Sequence, residues 1–535
     1  ICIIGSGPAG TSIANRIKKI NKKIIIIEAG EKEIDLNKQK YFETTNYFKN
    51  KKTQFNFNET SANRLSCIGG TSQHWSGACN PFHQNHFEGR SWIPDSKWPI
   101  SFNEIKDYYI EAQKYLELSP LSKLKYGFEL FNSDFLKKNH PDSFNFESFA
   151  YSFEKHSGFI ESKGYIEWNG PMRFKKIIFK NLINVKNIDF FYNAYLTSFI
   201  LSENKNQIDK IEVQNYEKTK KIILNSKYFC LCCGGLENAK FLLNNNIKNY
   251  SNSYNNDSLV GKYFLNHPVG QLGTLYAYNK DIALKLTETF KSNKFKKNKI
   301  RPLLHINNEI QKKEGILEHL IMIDSNYNEE SGVYSARKLR DAIVNKKIPE
   351  NSIKLFFNII KDIDQVVYQT YREYMDLGVT MEVNEEIDLI SVVEQCPNIN
   401  SKIFLERTKD NFDNYNASIN WDLNSIDVNT PLVINQYLAY EFKKNNIGRL
   451  RVPDWINDKS NPLGDRMGTA HYSGTTRMSG SKNKGVVDKN CIHYDLENLY
   501  ISSSSVFPTE SFVNPTFTIV ALSLRVADHI LSRDK

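Results

Sequence analysis

The chain has no cysteine pair in C-x-x-C spacing outside the apolar strand-like run "CLCC", no second G-x-G-x-x-G stretch and no long apolar run. The first absence speaks against a dithiol redox centre and against a cysteine-rich zinc site. The second removes a separate NAD module, so a flavin- and NAD-dependent disulfide reductase is set aside. With no apolar run of about 18 residues, no helix is expected to span a membrane, although contact with a membrane surface stays open. No internal repeat is evident, and the richness in Asn, Lys and Ile is a compositional bias, since apolar periodicity persists through it. Nor does an initiator Met or a signal-like segment precede "ICIIGSGPAG", which opens as a strand already in progress. A few residues are expected upstream, and for that reason the missing signal segment says little about export.

What is present fits a large globular protein. At 535 residues, with 40% hydrophobic and 24% charged side chains, the chain is long enough for two or more substructures around sizeable cores. The net charge of +10 comes largely from dispersed lysines, with clusters at 49–52 and 291–299. Neither cluster lies on an aromatic-interleaved or glycine-rich nucleic-acid motif, so both read as solvated surface and no nucleic-acid partner is expected. The eight cysteines are Cys2, Cys67, Cys79, Cys230, Cys232, Cys233, Cys396 and Cys491. "CLCC" lies in an apolar strand-like run, which suits small buried thiols better than ligands. A reducing, cytoplasmic compartment and no metal site are the expectation.

The first thirty residues carry a nucleotide signature. "ICIIGSGPAGTSIANRIKK" reads as a short strand, then Gly5, Gly7 and Gly10 in G-x-G-x-x-G spacing, then a helix; "KIIIIEAG" follows as a second strand ending at Glu28. Gly5 allows the tight turn, Gly7 lets backbone approach a pyrophosphate, and Gly10 lets helix and strand pack closely. Glu28 stands where a carboxylate accepts from ribose hydroxyls, which argues against a 2'-phosphate. The motif alone does not separate FAD from NAD.

Strand signals return at "NIDFFYNAYLTSFIL" and "KYFCLCCGG", so the nucleotide domain is discontinuous. From about residue 265 to 460, "GVTMEVNEEIDLISVVEQ", "KIFLERT" and "YNASINWDL" read as strands of an antiparallel sheet, while "SIKLFFNIIKDIDQVVYQTYREYM" and "PLVINQYLAYEFKKN" read as helices. The expected fold is α/β. A Rossmann-like cofactor domain (1–85, 170–265 and 465–535) carries an inserted substrate domain of antiparallel sheet plus helices (86–169 and 266–464).

Toward the carboxy terminus "GTAHYSGTTRMSG" precedes an amphipathic helix entered at Asn514, Pro515 and Thr516. Pro favours the first helical position and Asn the cap, and the outward amide groups of such a start attract negative charge. A reduced flavin carries negative charge at N1 and its C2 carbonyl, which this helix start would stabilise. His471 has an imidazole suited to proton abstraction near neutral pH, and Asn514 can hydrogen-bond a substrate hydroxyl without competing for its proton. A structural histidine in a Gly/Ser/Thr loop and a simple helix cap are the plainer alternatives.

Several blocks in order carry a resemblance: "GSGPAG" with "EAG", "GGTSQHWSG", "CCGGLENAKFLL", "VGKYFLNHP", "HYSGTTRMSG" and "SVFPTESFVNPTFTIVALSLRVADHI". The chain resembles the glucose-methanol-choline (GMC) oxidoreductases, flavoenzymes that oxidise CH–OH groups, and within them the pyranose 2-oxidase and sugar dehydrogenase branch. The resemblance implies FAD as cofactor, His471 as catalytic base with Asn514 as its partner, and a strand around Asn193 and Ala194 whose backbone touches the adenine. Ser503 departs from it, standing where many members have Gly or Asp, and the inserted domain matches no one member. By the same resemblance the substrate is a sugar, glycoside or polyol, with a choline- or sterol-like alcohol, or a non-catalytic flavoprotein subunit, as alternatives. The electron acceptor, whether oxygen, a quinone or a cytochrome, is left open, with a lean to a dehydrogenase.

"GGTSQHWSG" is expected to run along the flavin. Gly69 and Gly70 permit close backbone approach, and Thr71 and Ser72 would reach phosphate or ribitol oxygens. In pyranose 2-oxidase-like members the histidine of a similar Ser-x-His-Trp stretch is bonded to the flavin 8α-methyl. His74, beside Trp75, matches that position, and Ser76 matches a hydroxyl residue near flavin N5.

Overall fold

The computed structural model describes residues 1–48, 51–52, 63–118, 143–151, 173–250, 259–290, 293–295, 298–327, 329–344, 349, 351–375, 383–457 and 467–534. Parts of both lysine clusters, and the expected domain boundaries at 169–170 and 464–465, lie outside them.

The first strand, Cys2–Ile4, sits in the middle of a six-stranded sheet between Ile24–Ile27 and Phe229–Leu231. Cys2 pairs with Ile25 on one side and Phe229 on the other, both in parallel. Ile188–Phe191 extends the sheet beyond Ile24–Ile27, and Leu496–Ile501 with Ile492–His493 extends it on the far side. Cys2, Ile3 and Ile4 are all buried, as an unbroken apolar run must be when helices cover both faces of a parallel sheet. The crossover helix Pro8–Ile17 buries Ile13, Ala14 and Ile17 and packs on the last helix, Thr516–Arg533, so the two ends of the chain close one core.

"NIDFFYNAYLTSFIL" is not one strand. It breaks after Phe191 and resumes at Tyr195–Leu201 in a separate three-stranded antiparallel sheet. Asn193 takes a left-handed φ of 50°, and its Oδ1 accepts from the Tyr216 amide at 3.0 Å. Asn tolerates that conformation better than most side chains. The break places Ala194 beside Glu28, whose carbonyl accepts the Ala194 amide at 2.9 Å.

The second large sheet is antiparallel throughout its main path, in the order Gly448–Arg451, Pro268–Ala277, Val383–Val393, His319–Tyr327, Asn298–Ile306, Phe144–Tyr151 and Ala78–Cys79. Alternate residues, Ile321 and Ile323 or Ile387 and Leu389, pack under the helices Lys280–Phe290 and Ser425–Lys444. Leu320, Val392 and Leu303 face the core shared with the parallel sheet. That two-residue alternation lets one sheet join two cores.

Two sequence expectations are corrected. "KIFLERT" and "YNASINWDL" do form strands, Lys402–Lys409 and Tyr415–Trp421, but they leave the large sheet; Tyr415–Trp421 pairs in parallel with Thr45–Phe48 in a sheet of four. The helix expected from Pro431 starts earlier, at Ser425, where Asn424 and Asp427 form a capping box. It then runs through Pro431 with the loss of one backbone hydrogen bond. The helices expected over 352–375 are present as Ser352–Lys361 and Ile363–Tyr374. All eight cysteines are free.

Candidate active site

The glycine turn is tight because two of its members have no room for a side chain. A Cβ on Gly10 would stand 1.9 Å from the Gly5 carbonyl oxygen, and Gly5 itself has a φ of +99°. Gly7 differs: nothing lies within 4 Å of where its Cβ would be, so its backbone borders open cleft. Helix Pro8–Ile17 begins there with no side-chain cap and no acidic residue in its first turn, which leaves its amide groups directed at an anion.

Glu28 is buried and well used. Its Oε2 accepts from the Ser6 amide at 2.9 Å and the Ser6 hydroxyl at 2.7 Å, and its Oε1 from the Gly30 amide at 2.9 Å. Burial pushes its carboxyl above the ordinary value, and those hydrogen bonds pull it back. Ser6 Oγ in turn accepts the Gly69 amide at 3.0 Å. A serine inside the glycine spacing thus ties the nucleotide turn to the loop that opens at Gly69.

That loop forms a short 3-10 turn over Gly70–Gln73. The Ser72 hydroxyl, expected to reach the cofactor, instead donates to the Gly69 carbonyl at 2.6 Å and accepts the Phe174 amide at 3.2 Å. Thr71 Oγ1 accepts the Leu65 amide at 3.2 Å and still lines the cleft. Buried Arg173 donates to the carbonyls of Ser72 and Trp75 at 2.9 and 3.2 Å, which holds the His74–Trp75 step in place. Burial lowers the His74 pKa, and the Arg173 charge lowers it further.

One cleft of about 1540 Å³ gathers most of these parts: Gly5, Gly7 and Glu28; Gly70, Thr71, Ser72, His74, Trp75 and Ser76; Ala194; His471; and Asn514, Pro515 and Thr516. Gly10 and Gly69 stay behind its wall and serve packing. The volume exceeds the ordinary small-ligand range, as a dinucleotide with a substrate beside it requires.

His471 and Asn514 both line this cleft. Asn514 is not a side-chain cap: the terminal helix runs Thr516–Arg533, Pro515 supplies the first accepting carbonyl, and no side chain bonds the free amides. Pro515 already has helical dihedrals, so the chain needs no Asn cap to enter the helix, and the uncapped start faces the cleft. Burial alone draws the His471 pKa down to about 4. Its Nδ1 lies 2.9 Å from Nδ1 of His267, a fully buried residue from the "NHP" stretch, with the rings edge to face. Behind His267, buried Glu510 places Oε1 3.6 Å from His267 Nε2.

Ser6, Arg173, His267 and Glu510 are therefore the site residues that sequence reading misses. Ser6, His267 and Glu510 each lie inside one of the motif blocks, and only Arg173 stands outside them. Among the described residues no group of His, Cys, Asp and Glu suits a metal, and no helix is long and apolar enough to cross a membrane.

A family model described as GMC oxidoreductase matches residues 397–523. The fructose dehydrogenase large subunit of Gluconobacter japonicus is 19% identical, over 99% of this chain and 97% of that one. Among solved structures, pyridoxine 4-oxidase from Mesorbium loti is similar with a TM-score of 0.54 at 14% identity, covering 99% of each chain. A formate oxidase of Aspergillus oryzae, in a variant made to follow FAD modification, gives 0.55 at 14%, covering 99% of this chain and 98% of that one.

Proposed function

On the premise that the chain is a GMC oxidoreductase using FAD, we propose that it oxidises a CH–OH group of a sugar, glycoside or polyol, with His471 accepting the hydroxyl proton and Asn514 holding the oxygen. The observation that carries this reading is that His471 and Asn514 share a cleft with Gly7, Glu28 and Ala194. The uncapped helix at Gly7, the open space beside it and the Glu28 carboxylate are the features a pyrophosphate and its ribose need. When bound, FAD supplies the two-electron acceptor for the C–H hydride.

The chain's own residues supply position and charge. With its pKa drawn down to about 4, His471 is neutral near pH 7 and ready to take a proton. Its Nδ1 is engaged by His267, which leaves Nε2 for the cleft. The free amides of the first helical turn, from Thr516 onward, favour negative charge developing near them. The division of the chain belongs to the same proposal: 1–85, 170–265 and 465–535 hold the cofactor, and 86–169 and 266–464 shape the substrate site. The likeness to a fructose dehydrogenase subunit supports a sugar donor and a dehydrogenase rather than an oxidase.

Anaerobic flavin bleaching by a panel of alcohols tests the donor class. Sugars or polyols are expected to bleach the flavin; bleaching by aliphatic alcohols or sterols alone would sink the proposal. Comparing peroxide release under air with reduction of an artificial quinone decides the acceptor.

The flavin link is a separate expectation. His74 lines the cleft in the position matched by a flavin-bonded histidine, its carbonyl neighbour at Trp75 held by Arg173. Acid precipitation of FAD-loaded protein should keep the yellow colour in the pellet and yield a His74 peptide heavier by one FAD. Flavin found wholly in the supernatant would show that His74 only packs beside the ring.

A further inference from the structure

Behind His471 two more titratable groups stand in line, and the proposed chemistry so far passes no proton to either. The His471 and His267 Nδ1 atoms are 2.9 Å apart, so one proton lies between them and one ring must donate while the other accepts. Which ring donates is set by what faces His267 on its other side. There the nearest side-chain group is the Glu510 carboxylate, 3.6 Å from Nε2, and the backbone of Glu510 and Ser511 also faces the ring. His267 Nε2 and both Glu510 oxygens are buried and make no hydrogen bond of ordinary length and angle, Ser473 and the Glu510 and Ser511 backbone being the other groups that face them. An acceptor opposite Nε2 places the proton there. His267 Nδ1 then accepts from His471 Nδ1–H, and His471 Nε2 presents a lone pair to the cleft.

We propose that His471, His267 and Glu510 form a proton relay. As the substrate hydroxyl gives its proton to His471 Nε2, the His471 Nδ1 proton passes to His267 Nδ1 and the His267 Nε2 proton to Glu510 Oε1. The substrate O–H bond breaks, an N–H bond forms at His471 Nε2, and an O–H bond forms at Glu510. Both imidazoles end neutral with their tautomers exchanged, and the negative charge of Glu510 is transferred to the substrate oxygen. The C–H electron pair leaves as in the reading above, on which this relay rests. Hydrogen bonds of this kind are often long in a resting enzyme and tighten on substrate binding, so a gap of 3.6 Å is no obstacle.

The surroundings favour the relay over a lone histidine. Burial opposes an imidazolium at His267 and holds its pKa well below the ordinary value; the same burial holds the Glu510 carboxyl well above its own. A buried chain that starts with one carboxylate and ends wholly neutral avoids a buried cation. The other groups near Glu510 are Ser473, whose hydroxyl donates to the His471 carbonyl, and Glu394, whose charge is already matched by Arg90. His267 and Glu510 are positioning residues, since both act through His471.

The test is Glu510→Gln in the FAD-loaded enzyme, with His267→Gln as a second variant that cuts the relay at its middle; an unchanged flavin spectrum and melting temperature show folding. In the wild type, flavin reduction by a saturating donor should fall as pH drops through the raised Glu510 pKa. In Glu510→Gln that acid limb should disappear and the plateau rate fall roughly 10- to 100-fold, at the low end of the usual worth of a proton-transfer group, with KM unchanged. Nitrogen-15 NMR of histidine-labelled enzyme without substrate gives a readout free of turnover. His471 should carry its proton on Nδ1 above the limb and switch to Nε2 below it, and the switch should be lost in Glu510→Gln. A wild-type limb and rate in that variant, or an Nε2 proton on His471 at every pH, overturns the relay. Failure of every alcohol to reduce the wild-type flavin would instead overturn the functional reading, and the NMR result would still decide the relay.

Discussion

Replacing His471 by Ala is expected to slow flavin reduction by a good donor roughly 10²-fold or more, about 2.7 kcal/mol of barrier at 1.36 kcal/mol per factor of ten. The imidazole holds the only nitrogen of the histidine pair that faces the cleft, since its Nδ1 is taken up by His267. Water filling the vacated space is a poorer and less well placed base. FAD content should stay unchanged, because the groups that suit the dinucleotide, Gly7 and Glu28, are untouched by the substitution. Stopped-flow bleaching under anaerobic conditions measures the effect directly, and an unaltered rate in the variant removes His471 from the chemistry.

The largest effect on stability is expected at Arg90. Its guanidinium meets Glu394 through two bonds of 2.6 and 2.5 Å, and both side chains are almost wholly buried. Glu394 follows the strand Val383–Val393, whereas Arg90 lies 304 positions earlier, so the pair joins distant parts of the chain. Arg90→Ala should cost about 3–5 kcal/mol because it strands a buried carboxylate, a penalty set by the lone charge more than by the worth of the pair. The double variant Arg90→Met with Glu394→Leu should recover most of the loss. Denaturant titration at one fixed FAD concentration measures both, since ligand binding shifts apparent stability. A single variant as stable as the parent, or a double variant no better than the single, would contradict this account.

What the sequence made legible was what lies close together along the chain. Gly5, Gly7 and Gly10 with Glu28 fall within one strand–helix–strand unit, where spacing determines contact, and the tight turn at Gly5 and close packing at Gly10 follow from it. Glu28 was less visible in its detail, because its use of Ser6 and Gly30 depends on how the turn folds back. The His267 and His471 contact joins residues 204 positions apart, and no periodicity encodes such a pairing. Ser72 shows a different limit: a hydroxyl in a ligand-facing loop has the same residue type whether it meets the ligand or the loop's own backbone, and here it meets the Gly69 carbonyl. "KIFLERT" and "YNASINWDL" carry correct strand alternation, yet alternation names no partner, and one of them pairs with Thr45–Phe48.

The central place of the first strand bears on how the protein is made. Cys2 pairs with Phe229, and Phe229 with Leu499, so the parallel sheet joins the first residues of the chain to nearly the last. Each such pairing closes a long loop, whose entropy must be lost before its contacts repay it. During synthesis the leading strand–helix–strand unit therefore emerges with an unpaired edge and waits for Phe229–Leu231. The cleft waits longer, because Asn514 and the helix Thr516–Arg533 leave the ribosome after Phe229–Leu231. Until then the nascent chain exposes apolar surface and open strand edges, the state in which long chains aggregate or depend on chaperones. Cofactor capture thus follows the synthesis of the helix Thr516–Arg533.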